Sequence, residues 1–69
     1  MSEWYNLDYA SIEQETEKAF KIVTEDGDIV WVPKSQISPE DLRRNNYQVG
    51  DTDGSMAITQ WLAQEKGLV

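Results

Sequence analysis

The stretch from Thr16 to Val32, TEKAFKIVTEDGDIVWV, limits the fold more than any other, because it reads as a β-hairpin. Lys18, Phe20, Ile22 and Thr24 alternate with Ala19, Lys21 and Val23, the period of two expected of a half-buried strand. The acidic turn Glu25-Asp26-Gly27-Asp28 follows, and its glycine accepts the positive φ that tight hairpins need. Ile29-Val30-Trp31-Val32 is β-branched and aromatic, apolar on both faces as a buried strand would be.

Pro33 cannot donate to a ladder, so regular pairing should weaken there, with extended chain continuing through Ile37. Ser38-Pro39-Glu40-Asp41 has the makings of a helix start: a capping serine, proline at the first position and acids in the first turn. Leu42 would be its buried residue, Arg43 and Arg44 its C-terminal cations, and Asn45-Asn46 its end. Tyr47-Gln48-Val49 is short and alternating, and residues 50–54 form a turn cluster. Ser55–Ile58 reads as a last strand. Thr59 caps a closing helix over Gln60–Lys66, with Gly67 and Leu68 at C′ and C″. The opening residues 4–15 alternate weakly and are assigned to a strand.

These elements predict a β-rich α+β domain. Its core is a small bent antiparallel sheet or partial barrel, SH3-like or OB-like, with a short helical turn and a C-terminal helix. A chain of 69 residues supports one core and therefore one domain, residues 1–69. Trp4, Trp31, Trp61, Phe20, Tyr47, Ile22, Ile29, Val32, Ile37, Leu42, Ile58 and Leu62 are the residues available to fill it. Buried aromatics dominate small cores, so Trp31 is expected inside, in contact with the helix that carries Trp61. On that expectation, truncating either ring to alanine costs about 3–5 kcal/mol.

The chemistry open to this chain is narrow. It has no cysteine and no histidine, which removes disulfides, thiolate sites and Cys/His zinc sites. Asp51-Thr52-Asp53-Gly54 resembles the start of a calcium loop. However, its glycine comes too early, and the twelfth position is Leu62 rather than a bidentate glutamate. The paired carboxylates Glu13/Glu15/Glu17 and Asp51/Asp53 lie in polar stretches with no partner to tune them, so no catalytic residue is assigned. No cofactor and no metal are expected. The start Met1-Ser2-Glu3-Trp4 lacks a basic, then apolar leader, and no segment is long enough to span a bilayer, so a cytoplasmic location in a host cell is expected.

Charge is the main functional signal. Thirteen acids against six bases give a net charge of −7. Eight of the acids precede Ile29, against only Lys18 and Lys21. Such a surface repels phosphate backbones, so direct nucleic-acid binding is not expected. Glu13, Glu15 and Glu17 alternate, and on a regular strand their carboxylates would project from one side about 6–7 Å apart. Glu25, Asp26 and Asp28 crowd the far end of the same hairpin. The plain reading of these charges is a solubilising face that also protects a sheet edge. The functional reading is a face for a protein with a basic groove, joined by Lys34 and Ser35 from the distinctive string Trp31-Val32-Pro33-Lys34-Ser35. Arg43-Arg44 is read chiefly as helix-end charge.

Two separated blocks of the chain also resemble small proteins encoded by phages and mobile elements. These carry a T-x-K-A … W-[VI]-P-K-S hairpin and a W-L-A-x-x-K-G-L end. The matching residues are Thr16, Lys18, Ala19, Trp31, Pro33, Lys34, Ser35, Trp61, Leu62, Ala63, Lys66, Gly67 and Leu68, and the blocks span about half of the chain, leaving out Glu40 to Thr52. The resemblance implies a phage-like origin and a compact β fold, and it transfers no catalytic residue. The expectation is then a protein-binding module, in its specific form an inhibitor of a host nucleic-acid-handling or defence complex. The partner would be a host or phage protein with a basic groove, and neither membrane nor nucleic acid is expected. The alternative is an accessory single-stranded nucleic-acid binder built on a small barrel.

Overall fold

The computed structural model describes residues 3–68, so Met1 and Ser2, part of the start read above, lie outside the described residues. The chain runs β1 (Trp4–Glu15), β2 (Ala19–Thr24), β3 (Ile29–Pro33), a 3-10 turn (Lys34–Gln36), α1 (Pro39–Asn45), β4 (Thr52–Thr59) and α2 (Gln60–Glu65). The strands form one antiparallel sheet in the order β3-β2-β1-β4. This is the β-rich α+β domain expected.

β1 is longer than its weak alternation suggested, with 12 residues. It pairs with β4 through Trp4–Ser11 and with β2 through Tyr9–Glu15. Two register shifts on the β2 side, between Tyr9 and Ser11 and between Ile12 and Gln14, each leave one β1 residue unmatched. Bulges of this kind bend a strand and raise its twist, which lets β1 serve both halves of a curved sheet. They also break the period of two.

The concave face carries Leu7, Tyr9 and Ile12 from β1, Phe20 and Ile22 from β2, Val30 and Val32 from β3, and Met56 and Ile58 from β4. Ile37, Tyr47, Leu62 and Ala63 close it from outside the sheet. The three buried aromatic rings interlock: Tyr47 meets both Tyr9 and Phe20 edge-on, with centroids 6.2 Å apart in each case. Tyr47 and its neighbours form no strand, contrary to the alternation of Tyr47-Gln48-Val49, yet Tyr47 is buried.

Both ends of the chain's last helix follow their sequence signals. The Thr59 side chain accepts the Leu62 N–H at 3.1 Å. Gly67 takes φ +70°, and the N–H groups of Gly67 and Leu68 donate to Gln64 and Ala63, the Schellman pattern. Ser38 differs: it stands at the N-cap of α1 without a side-chain bond.

The tryptophans correct the expectation. Trp31 is 40% exposed and Trp61 59% exposed, and α2 packs mainly on β1 and β4 rather than on β3. Trp4 and Ile29 also face outward, at 39% and 62%. The reason is register. β3 is an edge strand whose inward positions are Val30 and Val32, so Ile29, Trp31 and Pro33 share the convex face. Trp31→Ala and Trp61→Ala should therefore each cost only about 0.5–1.5 kcal/mol, since half of each ring already meets water. Urea melts would show it as small shifts in midpoint with an unchanged slope. A loss above about 3 kcal/mol for either would return that ring to the core.

Candidate functional site

The hairpin between β2 and β3 closes with a tight loop. Thr24 N–H donates to the Asp28 carbonyl at 2.8 Å, Gly27 N–H to the Thr24 carbonyl at 2.9 Å, and Asp28 N–H to the Thr24 hydroxyl at 3.1 Å. Gly27 holds φ +91°, a left-handed conformation that a side chain would resist. Glu25, Asp26 and Asp28 are therefore carried on a pinned turn, with their carboxylates exposed.

This turn borders a notch in the sheet. β2 ends at Thr24, opposite Tyr9, while β1 continues back to Trp4. Among the described residues no strand lies against the β2 side of β1 beyond Tyr9, and Gly67 and Leu68, after α2, cover part of the gap. The Tyr5 hydroxyl fastens Leu68 by donating to its carbonyl at 3.2 Å. What is left is a cleft of about 210 Å³ lined by Tyr5, Leu7, Asp8, Thr24, Glu25, Asp26, Asp28, Gly67 and Leu68. Its surface is mainly polar, with Tyr5, Leu7 and Leu68 beside four carboxylates. Among the described residues no lysine or arginine lines it.

The expected site residues thus divide. Glu25, Asp26 and Asp28 meet at the cleft with Asp8. Glu13, Glu15, Glu17, Lys34 and Ser35 lie at the other end of the hairpin, about 17 Å away along β2. The one-sided row of Glu13, Glu15 and Glu17 is not what the structure builds. Glu13 occupies the second register shift and accepts the Ser11 hydroxyl at 2.7 Å. Glu15 faces Lys34, whose Nζ lies 2.6 Å from its Oε2 and 5.0 Å above the Phe20 ring. Glu17 follows the strand's end, in the connection to β2. Ser35 is exposed in the 3-10 turn.

Two features were missed from sequence. One is Asp8, which reaches the cleft only because β2 stops short. The other is the outward row Ile29-Trp31-Pro33. Proline in a sheet is confined to positions whose N–H would face away from a partner. Pro33 could therefore have marked β3 as an edge strand and set Trp31 on its outer phase.

Asp51 and Asp53 take ordinary turn roles. The Asp51 carboxylate accepts the Gln48 N–H at 2.9 Å, and Asp53 holds φ 54°. Among the described residues no helix is long and apolar enough to cross a membrane. Comparison of the chain with protein-family models, curated proteins and solved structures finds no match. The reading of this site rests on its own residues.

Proposed function

We propose that this chain is a protein-binding module that receives a cationic side chain of its partner in the cleft between β1 and the β2–β3 turn. The observation that carries the reading is the meeting of Asp8, Glu25, Asp26 and Asp28 around one mainly polar cleft. An arginine or lysine suits such a place, with its stem on Tyr5 and Leu68 and its charge among the carboxylates. The partner is then a protein with a basic groove. With the resemblance to phage and mobile-element proteins, the specific form is an inhibitor that fills the nucleic-acid channel of a host defence complex. The net charge of −7 supports this, because it steers the module toward basic surfaces and away from phosphate backbones.

The test is capture from host lysate with and without nuclease, followed by titration of the recovered partner against salt. Binding should survive nuclease and weaken at least tenfold between low and physiological ionic strength. Asp26→Lys with Asp28→Lys should abolish it, and Arg43→Glu with Arg44→Glu should leave it within about threefold. Binding indifferent to salt, or equal losses from both pairs, would remove the cleft as the site.

A second reading draws on Trp31, which stands beside Lys21 in register on the convex face. A half-exposed ring next to a cation is the element that single-stranded nucleic acids stack upon. Quenching of tryptophan emission by an oligonucleotide, lost in Trp31→Ala, would favour it. Nuclease-sensitive capture would point the same way.

A further inference from the structure

Two aspartate–glycine pairs occur in the chain, Asp26-Gly27 and Asp53-Gly54, and the fold treats them oppositely. Aspartate before glycine is the pair most open to one backbone reaction, because no Cβ shields the glycine nitrogen from the preceding side chain.

Asp26-Gly27 sits at the tip of the β2–β3 hairpin. Both residues are exposed, and among the described residues the Asp26 carboxylate has no hydrogen bond or ion pair. The space beside Gly27 is open, since a Cβ there would meet nothing within 4 Å. One bond ties its nitrogen, the N–H donating to the Thr24 carbonyl at 2.9 Å. Opening that bond disturbs only the hairpin tip.

Asp53-Gly54 lies inside β4, against the central strand. Gln60 N–H donates to the Glu3 carbonyl, which makes Trp4 and Thr59 a non-bonded pair. Alternation along the ladder then makes Tyr9 and Gly54 a bonded one, so the Tyr9 carbonyl holds the Gly54 N–H. The Tyr9 ring also stands over Gly54, with Cζ 2.7 Å from where a Cβ would be. Freeing this nitrogen parts β4 from β1 and displaces a ring buried against Tyr47. That is loss of the core rather than a local opening.

We propose that Asp26-Gly27 is a site of spontaneous backbone isomerisation, in which Asp26 becomes isoaspartate while the fold protects Asp53. The Gly27 nitrogen attacks Cγ of the protonated Asp26 carboxyl. An N–Cγ bond forms, the C–OH bond breaks, and one water leaves with the amide proton, giving a five-membered succinimide. Water then adds at the Asp26 main-chain carbonyl and breaks its bond to the Gly27 nitrogen. The chain now runs through Cγ, and the former main-chain carbonyl is a free carboxylate on Cα. No oxidant, metal or partner takes part, and mass and charge return to their starting values. The new linkage adds a methylene to the main chain between Thr24 and Asp28, whose mutual bond of 2.8 Å closes the hairpin. It also draws the Asp26 charge back toward the main chain, away from the cleft. That last consequence rests on the proposed function; the reaction does not.

Prolonged incubation of the intact chain at neutral pH and body temperature, folded and in concentrated urea, tests it. Isoaspartate is read in proteolytic peptides by methyl transfer from an isoaspartyl methyltransferase and placed by fragment masses. In the folded chain conversion at Asp26 should outrun that at Asp53 at least about tenfold, and in urea the two rates should come within about threefold. Asp26→Glu should abolish the hairpin signal and keep its cooperative melt, because a six-membered ring closes far more slowly. The readout involves no partner, so its failure leaves the cleft reading untouched. A ratio below tenfold in the folded chain, an Asp26 that stays intact there, or a tenfold preference that persists in urea would each overturn the proposal.

Discussion

Gly54→Ala is expected to lose about 3 kcal/mol or more, enough to unfold much of the population of a domain this small. Gly54 lies directly opposite Tyr9 in the β1–β4 register. A Cβ there would stand 2.7 Å from Tyr9 Cζ and 3.3 Å from its Cε1, with the hydroxyl oxygen closer still. The ring has nowhere to go. It is 4% exposed and wedged edge-on against Tyr47, which is wedged in turn against Phe20. An added methyl therefore displaces three aromatic rings or pushes β4 off β1. Gly27→Ala is the control: a Cβ there meets nothing within 4 Å, so only the left-handed backbone costs, about 1–2 kcal/mol. Urea denaturation of both variants decides the matter. Adding Tyr9→Phe to Gly54→Ala should recover part of the loss by removing the nearest atom. A Gly54→Ala protein within 1 kcal/mol of the parent would mean that the Tyr9 ring does not lie over Gly54.

Asp41→Asn is the second large effect, at about 2–4 kcal/mol. One carboxylate accepts the Tyr47 hydroxyl at 2.7 Å, the Ala57 N–H at 2.7 Å and the Asn45 amide at 3.0 Å. It ties α1 to β4 and orients the central ring of the aromatic trio. An amide in its place turns one oxygen into a donor and strands at least one of these partners. The same pocket makes stability sensitive to alkali. Burial first, then the bond to Asp41, raises the Tyr47 phenol well above its ordinary value of 10. Burial and the charges of Asp51 and Asp41 raise Tyr9. Both groups bind their protons more tightly folded than unfolded. Their contribution is therefore complete below pH 10 and lost progressively as pH rises beyond it, because the unfolded chain ionises first. Urea melts at pH 8 and pH 11 should show a falling midpoint for the parent and a smaller fall for Tyr47→Phe. A midpoint flat through pH 11 would contradict the burial of both phenols.

Local signals were legible and non-local ones were not. The hairpin, its glycine turn and the Thr59-to-Leu68 helix frame could be read because each depends on neighbours a few residues apart. The tryptophans could not. Ile29-Val30-Trp31-Val32 is apolar at every position, so alternation does not say which pair faces the core; the edge place of β3 decides it. The row of glutamates failed for a related reason, since the register shifts that move Glu13 and Glu15 out of line answer to the bend of β1. The cleft was half legible: its turn acids stood out by charge, but Asp8 joins them only through where β2 ends. Asp41 looked like a first-turn helix acid, and nothing nearby in sequence announces Ala57 as its partner.

The central position of β1 has a bearing on the order in which the sheet forms. β1 is the strand that both halves of the sheet are built upon, and its partner β4 is the farthest from it in sequence, with Trp4 paired to Thr59. The β2–β3 hairpin can close early, across a three-residue loop. The β1–β4 pairing cannot, and it carries the larger loop-closure cost. Until β4 docks, Leu7 and Tyr9 lack Met56 and Ile58 on the inner face. Closure of the sheet therefore waits on its most distant pairing, and a change that weakens β4 acts on the step that completes the core.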